Sequence, residues 1–319
     1  SLLERMRAHG WRVQVRTLFR QPRFAAFVQA LAQEQGGAEV VVPENRIPMG
    51  CEAIRPEMLT LIDLDDRQIE SLQASVLGGA ANIQDIYPLA PLQQGMLFHH
   101  MLQTEGDAYV TRHVLSFDTR ERLERFIESF NTIIERHDIL RTGVLWEGLK
   151  EPVQVVQREA RLHLQWAAEE RDLASGADTG ERPADHRVDV RRAPMIHATG
   201  SFSSNRQRWQ LQLLTHHLVL DHTTLELLVE EIALVQQGRH AELPETVPYR
   251  RYVAQARLGV SQAEHDAFFS EMLADVQEPT APFNLLNVQG DGTDAEEARE
   301  PLDADLAQQV RRQAQRPEG

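Results

Sequence analysis

The sequence predicts an α/β fold, because segments with the period of a strand alternate with segments with the period of a helix from Ile83 onward. Residues His113–Phe117 alternate in the manner of a strand. In the segment that follows, apolar residues recur at helical spacing, which indicates a helix with one buried face. The residues that carry this spacing are Leu123, Phe126, Ile127, Phe130, Ile133 and Ile134.

The remaining elements of this unit follow from the same two periods. Pro91 begins a predicted helix that continues to Gln103, since proline is favoured in the first helical turn. A second amphipathic helix is predicted around residues 225–232, and the polar segment over residues 168–186 is typical of a surface loop. The strand candidates are Val153–Val156, Leu162–Trp166, Met195–Phe202 and Trp209–Thr215.

Two smaller units precede the α/β unit. Residues 1–37 predict two short helices, which together are too small to enclose a core of their own. Residues 38–82 combine glycine pairs and prolines with a short acidic helix around Asp63–Val76, and this composition is typical of an interdomain linker. The main unit then covers residues 83–265, and residues 266–319 begin a further unit.

Composition excludes several classes of protein. The 319 residues carry a net charge of −15, which argues against general nucleic-acid binding. No run of eighteen apolar residues is present, so we expect no membrane span. Cys51 is the single cysteine; an internal disulfide is therefore impossible, and a reducing, cytoplasmic location is expected. We expect the chain to be a piece of a longer protein.

Four motifs follow one another in a fixed order along the main unit, and any one of them alone would be a weak signal. They are Tyr87-Pro88-Leu89-Ala90-Pro91-Leu92-Gln93-Gln94-Gly95, Arg136-His137-Asp138-Ile139-Leu140-Arg141-Thr142, His216-His217-Leu218-Val219-Leu220-Asp221-His222 and Pro248-Tyr249-Arg250-Arg251-Tyr252. As a set, these motifs resemble the condensation domain of nonribosomal peptide synthetases. The resemblance runs from about Ile83 to the C-terminus.

This resemblance implies a fold like that of chloramphenicol acetyltransferase, with two α/β lobes and an active site between them. Residues 83–265 would form the N-terminal lobe and residues 266–319 the start of the second lobe. Residues 1–37 are similar to the last helices of a peptidyl carrier domain, and the serine that bears 4′-phosphopantetheine is expected upstream of this chain. The implied partners are the upstream and downstream carrier domains and the adenylation domain of the same synthetase.

A second histidine pair narrows the subtype. His99 and His100 are followed by Met101, four residues, and Gly106-Asp107. This pattern is similar to an extended motif of dual epimerization/condensation domains, from which only Met101 departs. The resemblance therefore implies a domain that inverts the Cα of a carrier-bound L-donor and then joins the donor to the downstream aminoacyl acceptor.

The resemblance assigns the central role in condensation to His217. A neutral imidazole there would either remove a proton from the acceptor amine or position the amine and stabilise charge in the transition state, and the sequence leaves both roles open. Strand parity places His217 on the side of Thr215 and His216 on the other side. We therefore expect His216 to support the site from beneath.

Inversion of a Cα needs one proton removed and another returned on the opposite face. The candidates for this chemistry are His217, His99, His100 and Asp107, with Gly106 as structural support. Adjacent helical positions point about 100° apart, so His99 and His100 cannot both face one spot. A role of the pair in shaping the donor channel stays open beside a direct role.

Three further positions are expected to support the site. The resemblance implies that Asp221 pairs with Arg141, and a buried, bidentate pair of this kind would hold the histidine loop in shape. His222 stands where the family usually has glycine; it would either narrow the tunnel or be a tolerated variant. No metal site is expected, because adjacent histidines rarely chelate one ion and helical ligand pairs usually lie four residues apart.

Three alternative functions remain open. A plain condensation domain would accept a D-configured donor without inverting it, and the motif from His99 to Asp107 argues against this. A noncatalytic carrier–linker interaction fragment belongs to another class, and the intact motif around His217 argues against it for the parent protein. A free-standing acyltransferase that uses coenzyme A is disfavoured by the carrier-like residues 1–37.

Overall fold

The computed structural model describes residues 6, 23, 25–29, 40–103, 106–170, 172–174, 187–278, 280–281 and 300–314. Within the predicted carrier-like helices, residues 25–29 are helical. The rest of that prediction lies almost entirely outside the described residues, as does most of the predicted loop over 168–186.

In the part of the chain that the structure describes, seven strands form two separate sheets. An antiparallel sheet has the order β1-β4-β3, and a mixed sheet has the order β2-β7-β6-β5, in which only the β5–β6 pair is parallel among the described strands. The strands are β1 (Ile83–Pro88), β2 (Val110–Phe117), β3 (Thr142–Leu145), β4 (Val153–Gln157), β5 (Leu164–Trp166), β6 (Ile196–Ser203) and β7 (Arg208–His216).

Helices alternate with these strands along much of the chain. The α-helices for which the structure gives both ends are α1 (Asp66–Ser75), α2 (Pro91–Leu102), α3 (Arg120–Arg136), α4 (His222–Gln236), α5 (Tyr249–Leu258), α6 (Gln262–Met272) and α7 (Ala304–Ala314). The predicted α/β class is therefore confirmed. None of the helices in the described ranges combines the length and the apolar character that crossing a bilayer requires.

The main core lies between the mixed sheet and helices α3 and α4. The α3 face predicted from the sequence is buried, and Leu123, Ile133 and Ile134 have no exposed surface. Burying one such aliphatic side chain stabilises the fold by roughly 1.5–3 kcal/mol. On the sheet side, Leu211 and Leu213 of β7 complete this core. This packing fixes β7, whose end carries the histidine motif.

The segment predicted as a linker, residues 38–82, packs against the main unit. From Ile47 onward its apolar side chains form a second core against β1 and β4, in which Ile69 and Leu72 of α1 are buried. Asp65 caps α1 by accepting a hydrogen bond from the backbone N–H of Gln68. The short helix predicted around Asp63–Val76 is present as α1, and the role of the segment as an interdomain linker stays a prediction. At the other boundary, α6 runs continuously across the predicted division at residue 265.

Candidate functional site

The two histidine motifs meet at one end of the mixed sheet. Strand β7 ends at His216, which pairs with Val110 at the start of β2. The chain then turns, and the backbone N–H of His217 donates a 2.9 Å hydrogen bond to the carbonyl of Tyr109. This pairing places Asp107, just before β2, beside the end of β7.

His216 is fully buried beneath this turn. Its Nε2 lies 3.0 Å from Oδ2 of Asp107, and its Nδ1 lies 3.0 Å from the backbone nitrogen of Leu218. A backbone N–H can only donate, so Nδ1 must accept and the single imidazole proton must sit on Nε2. Burial lowers the pKa of His216, which agrees with a neutral ring.

His100 approaches the same carboxylate from helix α2. Its Nδ1 is 2.5 Å from Oδ2 of Asp107, and its Nε2 is 3.2 Å from Nη2 of Arg187. Because a guanidinium has donors only, Nε2 of His100 must accept and the proton must sit on Nδ1. The neighbouring His99 is exposed, so the two histidines face different environments.

Asp107 is the centre of this buried network. Burial alone raises the pKa of Asp107, but hydrogen bonds from His100, His216 and the Tyr109 backbone outweigh burial and hold that pKa well below its usual range. Gly106 precedes it with φ of +69°, a left-handed conformation that favours glycine. Gly106 therefore allows the chain to turn, and the turn directs Asp107 into the buried network.

The nitrogen and oxygen atoms of His100, Asp107 and His216 are close enough together to suggest a metal site within the described residues. Their surroundings do not fit that role. A histidine that ligates a metal donates its other N–H to an acceptor, whereas the outer nitrogens here face Leu218 N–H and the Arg187 guanidinium, which are donors. The three side chains therefore form a hydrogen-bonded network.

His217 occupies a different environment from His216. It is half-buried, and among the described residues no group hydrogen-bonds its imidazole. His113 of β2 lies near both His217 and His222: partial burial first, and then the charges of His222 and His217, lower the pKa of His113. The imidazole of His217, which the sequence motif singled out, is thus open to a ligand. His113, which belongs to none of the motifs, lies near it.

The expected Asp221–Arg141 pair is not formed. Asp221 caps helix α4 by accepting a 2.7 Å hydrogen bond from the N–H of Thr224, which lowers the pKa of Asp221. Arg141 is buried elsewhere and donates to the carbonyls of Ile134, Gln157 and Arg158 and to the side chain of Gln84. The carbonyls around β1 and β4 satisfy the guanidinium, so the carboxylate is free to cap a helix.

His222 is the first residue of α4 and is largely exposed. Its Nε2 lies 3.3 Å from Glu226 one helical turn later, and their side chains are 82% and 68% exposed. An exposed ion pair of this kind contributes little to stability, and both alternatives for His222 stay predictions.

Gln93 and Arg187 contribute to the site in ways that sequence reasoning missed. Gln93 of α2 is buried and donates a 2.9 Å hydrogen bond to the carbonyl of Leu218, in the turn that carries His217. It also exchanges hydrogen bonds with Gln154 of β4. The first motif contained Gln93, but only folding shows that it holds the histidine turn. Arg187 belonged to no motif and had no local signal.

The family model described as "Condensation domain" matches residues 83–318. Malpinin synthetase of Mortierella alpina is 40% identical over 319 residues, which cover 99% of this chain and 4% of the synthetase. Malpibaldin synthetase of the same organism is 38% identical over 321 residues, or 99% of this chain and 6% of that protein. The chain thus spans a small fraction of these relatives.

A solved structure supports the same fold. The cyclization-docking bidomain of the EpoB NRPS from Sorangium cellulosum superposes with a TM-score of 0.50 at 15% identity. The match covers 84% of this chain and 48% of that structure. At this identity the likeness concerns the fold alone.

Proposed function

The chain belongs to the condensation-domain family of nonribosomal peptide synthetases, and from this premise we propose that it is part of a dual epimerization/condensation domain. In this proposal the donor and acceptor arrive as thioesters on the 4′-phosphopantetheine arms of carrier domains. The arm is part of the substrate, and its attachment serine lies outside this chain. The adenylation domain of the same synthetase loads the carriers.

The observation that carries the condensation step is the contrast between His216 and His217. His216 has both ring nitrogens engaged by Asp107 and Leu218, whereas the imidazole of His217 is half-buried and unbonded among the described residues. A hydrogen bond to Tyr109 and the Gln93 contact hold the turn in place. His217 therefore offers an oriented imidazole nitrogen to a substrate amine.

The bond changes follow from this geometry. The acceptor nitrogen attacks the thioester carbonyl, the C–N bond forms, and the C–S bond breaks with the electron pair leaving on sulfur. His217 accepts a hydrogen bond from the amine and receives its proton as the positive charge develops, and the departing thiolate then takes up that proton.

The dual assignment is supported by the contact between the two motifs. Asp107 of the upstream motif accepts a hydrogen bond from His216 of the downstream motif. The upstream motif therefore helps to hold the turn that carries His217. Because His100 and Asp107 are buried and fully hydrogen-bonded, we assign them to support of this turn. His99 is exposed on the same helix, and it is the member of the upstream pair that we assign to the donor.

The test uses the complete synthetase module, with an L-aminoacyl group on its carrier, in D2O. Deuterium should enter the donor Cα in the wild type, and uptake should be lost in His217→Ala and strongly reduced in His99→Ala. His163→Ala is the matched control, because His163 is an exposed histidine remote from both motifs in the sequence. Peptide formation from a D-donor without any Cα deuteration would contradict the dual assignment and favour a plain condensation domain.

A further inference from the structure

We propose that Arg187 is a positioning residue that fixes the tautomer of His100 and thereby the hydrogen-bonded support of the His217 turn. This inference rests on the proposed function, because it concerns how the same site is held. Arg187 lies outside all four motifs and outside the upstream histidine motif.

Arg187 clamps the end of α2 and the loop after it. Its Nη2 donates to the carbonyl of His100 at 2.8 Å, and its Nη1 donates to the carbonyls of Gln103 and Gly106 at 2.6 and 3.1 Å. These carbonyls lie at and beyond the helix C-terminus, where a cation is favoured by the helix dipole. The guanidinium therefore holds together the two ends of the upstream motif.

The same guanidinium acts together with the Asp107 carboxylate to hold the His100 proton on Nδ1. With Nη2 of Arg187 facing Nε2, a proton on Nε2 would place one donor against another, so the ring keeps its proton on Nδ1 and donates to Asp107. Asp107 then remains a full acceptor for His216, whose other nitrogen receives the N–H of Leu218. One unbroken chain of donors and acceptors thus runs from Arg187 to the turn of His217.

Removing the guanidinium would release this constraint. Without Arg187, no donor of the described residues faces Nε2 of His100, and the carbonyls of His100, Gln103 and Gly106 lose the guanidinium that joins them. The His100 ring can then turn away from Asp107 or carry its proton on Nε2, and either change withdraws a hydrogen bond from the support of the His217 turn.

The first experiment reads the tautomer directly and needs no activity. In the 15N-histidine-labelled chain, with His100→Gln to assign the ring, two-bond correlations should show an unprotonated Nε2 for His100 at pH 7. In Arg187→Met the Nε2 signal should move toward the protonated position, whereas Arg192→Met should leave it unchanged, because Arg192 is an exposed arginine of the same segment. An identical His100 signature in wild type and Arg187→Met would overturn the proposal.

The second experiment measures peptide formation by the complete module. Arg187→Met should slow peptide formation about tenfold, and Arg187→Lys should restore most of the rate, because lysine keeps a donor cation beside His100. Equal losses in Arg187→Met and Arg187→Lys would contradict the proposal. If the wild type forms no peptide, the proposed function fails, while the tautomer result still decides the role of Arg187.

Discussion

Replacing Asp107 with asparagine is the sharpest test of the buried network. The carboxylate accepts three hydrogen bonds, from His100 and His216 at Oδ2 and from the backbone of Tyr109 at Oδ1. An amide has one acceptor oxygen and an NH2 group. Whichever way the amide is turned, at least one N–H of the network faces another donor.

The two histidines cannot relieve this conflict by changing tautomer. The outer nitrogen of His216 faces Leu218 N–H and that of His100 faces Arg187, so both are committed as acceptors. A hydrogen bond to a charged group is worth about 1.5–3 kcal/mol. Losing the charge and leaving a buried donor unsatisfied should therefore destabilise the fold by about 3–5 kcal/mol, the range seen when one partner of a buried pair is removed.

Urea and thermal unfolding of the chain measure this cost. For a unit of this size, the expected change corresponds to a fall in melting temperature of about 10 °C. Asp118→Asn is the control, because its side chain is 52% exposed and its ion pairs with arginines lie at the surface; it should change stability by about 0–1 kcal/mol. A cost below about 1 kcal/mol for Asp107→Asn would refute the network as described.

Three further outcomes follow from the site. Burial lowers the pKa of His216 from 6.5, so its contribution to stability is complete above that pH and is lost as pH falls; urea unfolding from pH 7.5 to 5.5 should show stability declining below pH 6.5, and a flat profile would argue against the assignment. Asp221→Ala should cost about 1 kcal/mol through the lost helix cap, and a double-mutant cycle with Arg141→Met should give a coupling below about 0.5 kcal/mol; a larger coupling would restore the expected pair. His217→Ala should reduce peptide formation by the module by about a hundredfold or more while its melting temperature stays near the wild-type value; a large fall would instead indicate a structural role.

The long elements of the fold were readable from the sequence because each has a clear period. The apolar face predicted for α3 is the buried one. Strands β4, β6 and β7 begin and end within one or two residues of their predicted bounds. Strands β1 and β3 were missed. Five of the six residues of β1 are buried, and β3 has only four residues, so neither shows the alternation that marks a half-exposed strand.

The predicted linker over residues 38–82 packs in a way that its composition did not indicate. The sequence predicted a linker with a short helix of its own, and apolar residues of this segment, such as Ile47, Ile69 and Leu72, form a core with β1 and β4. Burial depends on the surface that the rest of the chain presents, and a local count of glycine and proline does not report that surface. Packing decided the state of this segment.

By itself, the sequence determined which positions hold the candidate site residues, namely the histidine pairs that begin at His99 and His216 and the Gly106-Asp107 step, because residue types and their spacing along the chain are local properties. Only the tertiary structure decided their partners. His216 bonds Asp107 across 109 residues, and Arg187 reaches His100 across 87. Hydrogen bonds form over about 3 Å of space, and strand pairing and core packing, acting over the whole lobe, choose which distant groups come within that distance. For the same reason Asp221 became a helix cap, while Arg141 bonds backbone carbonyls around β1 and β4.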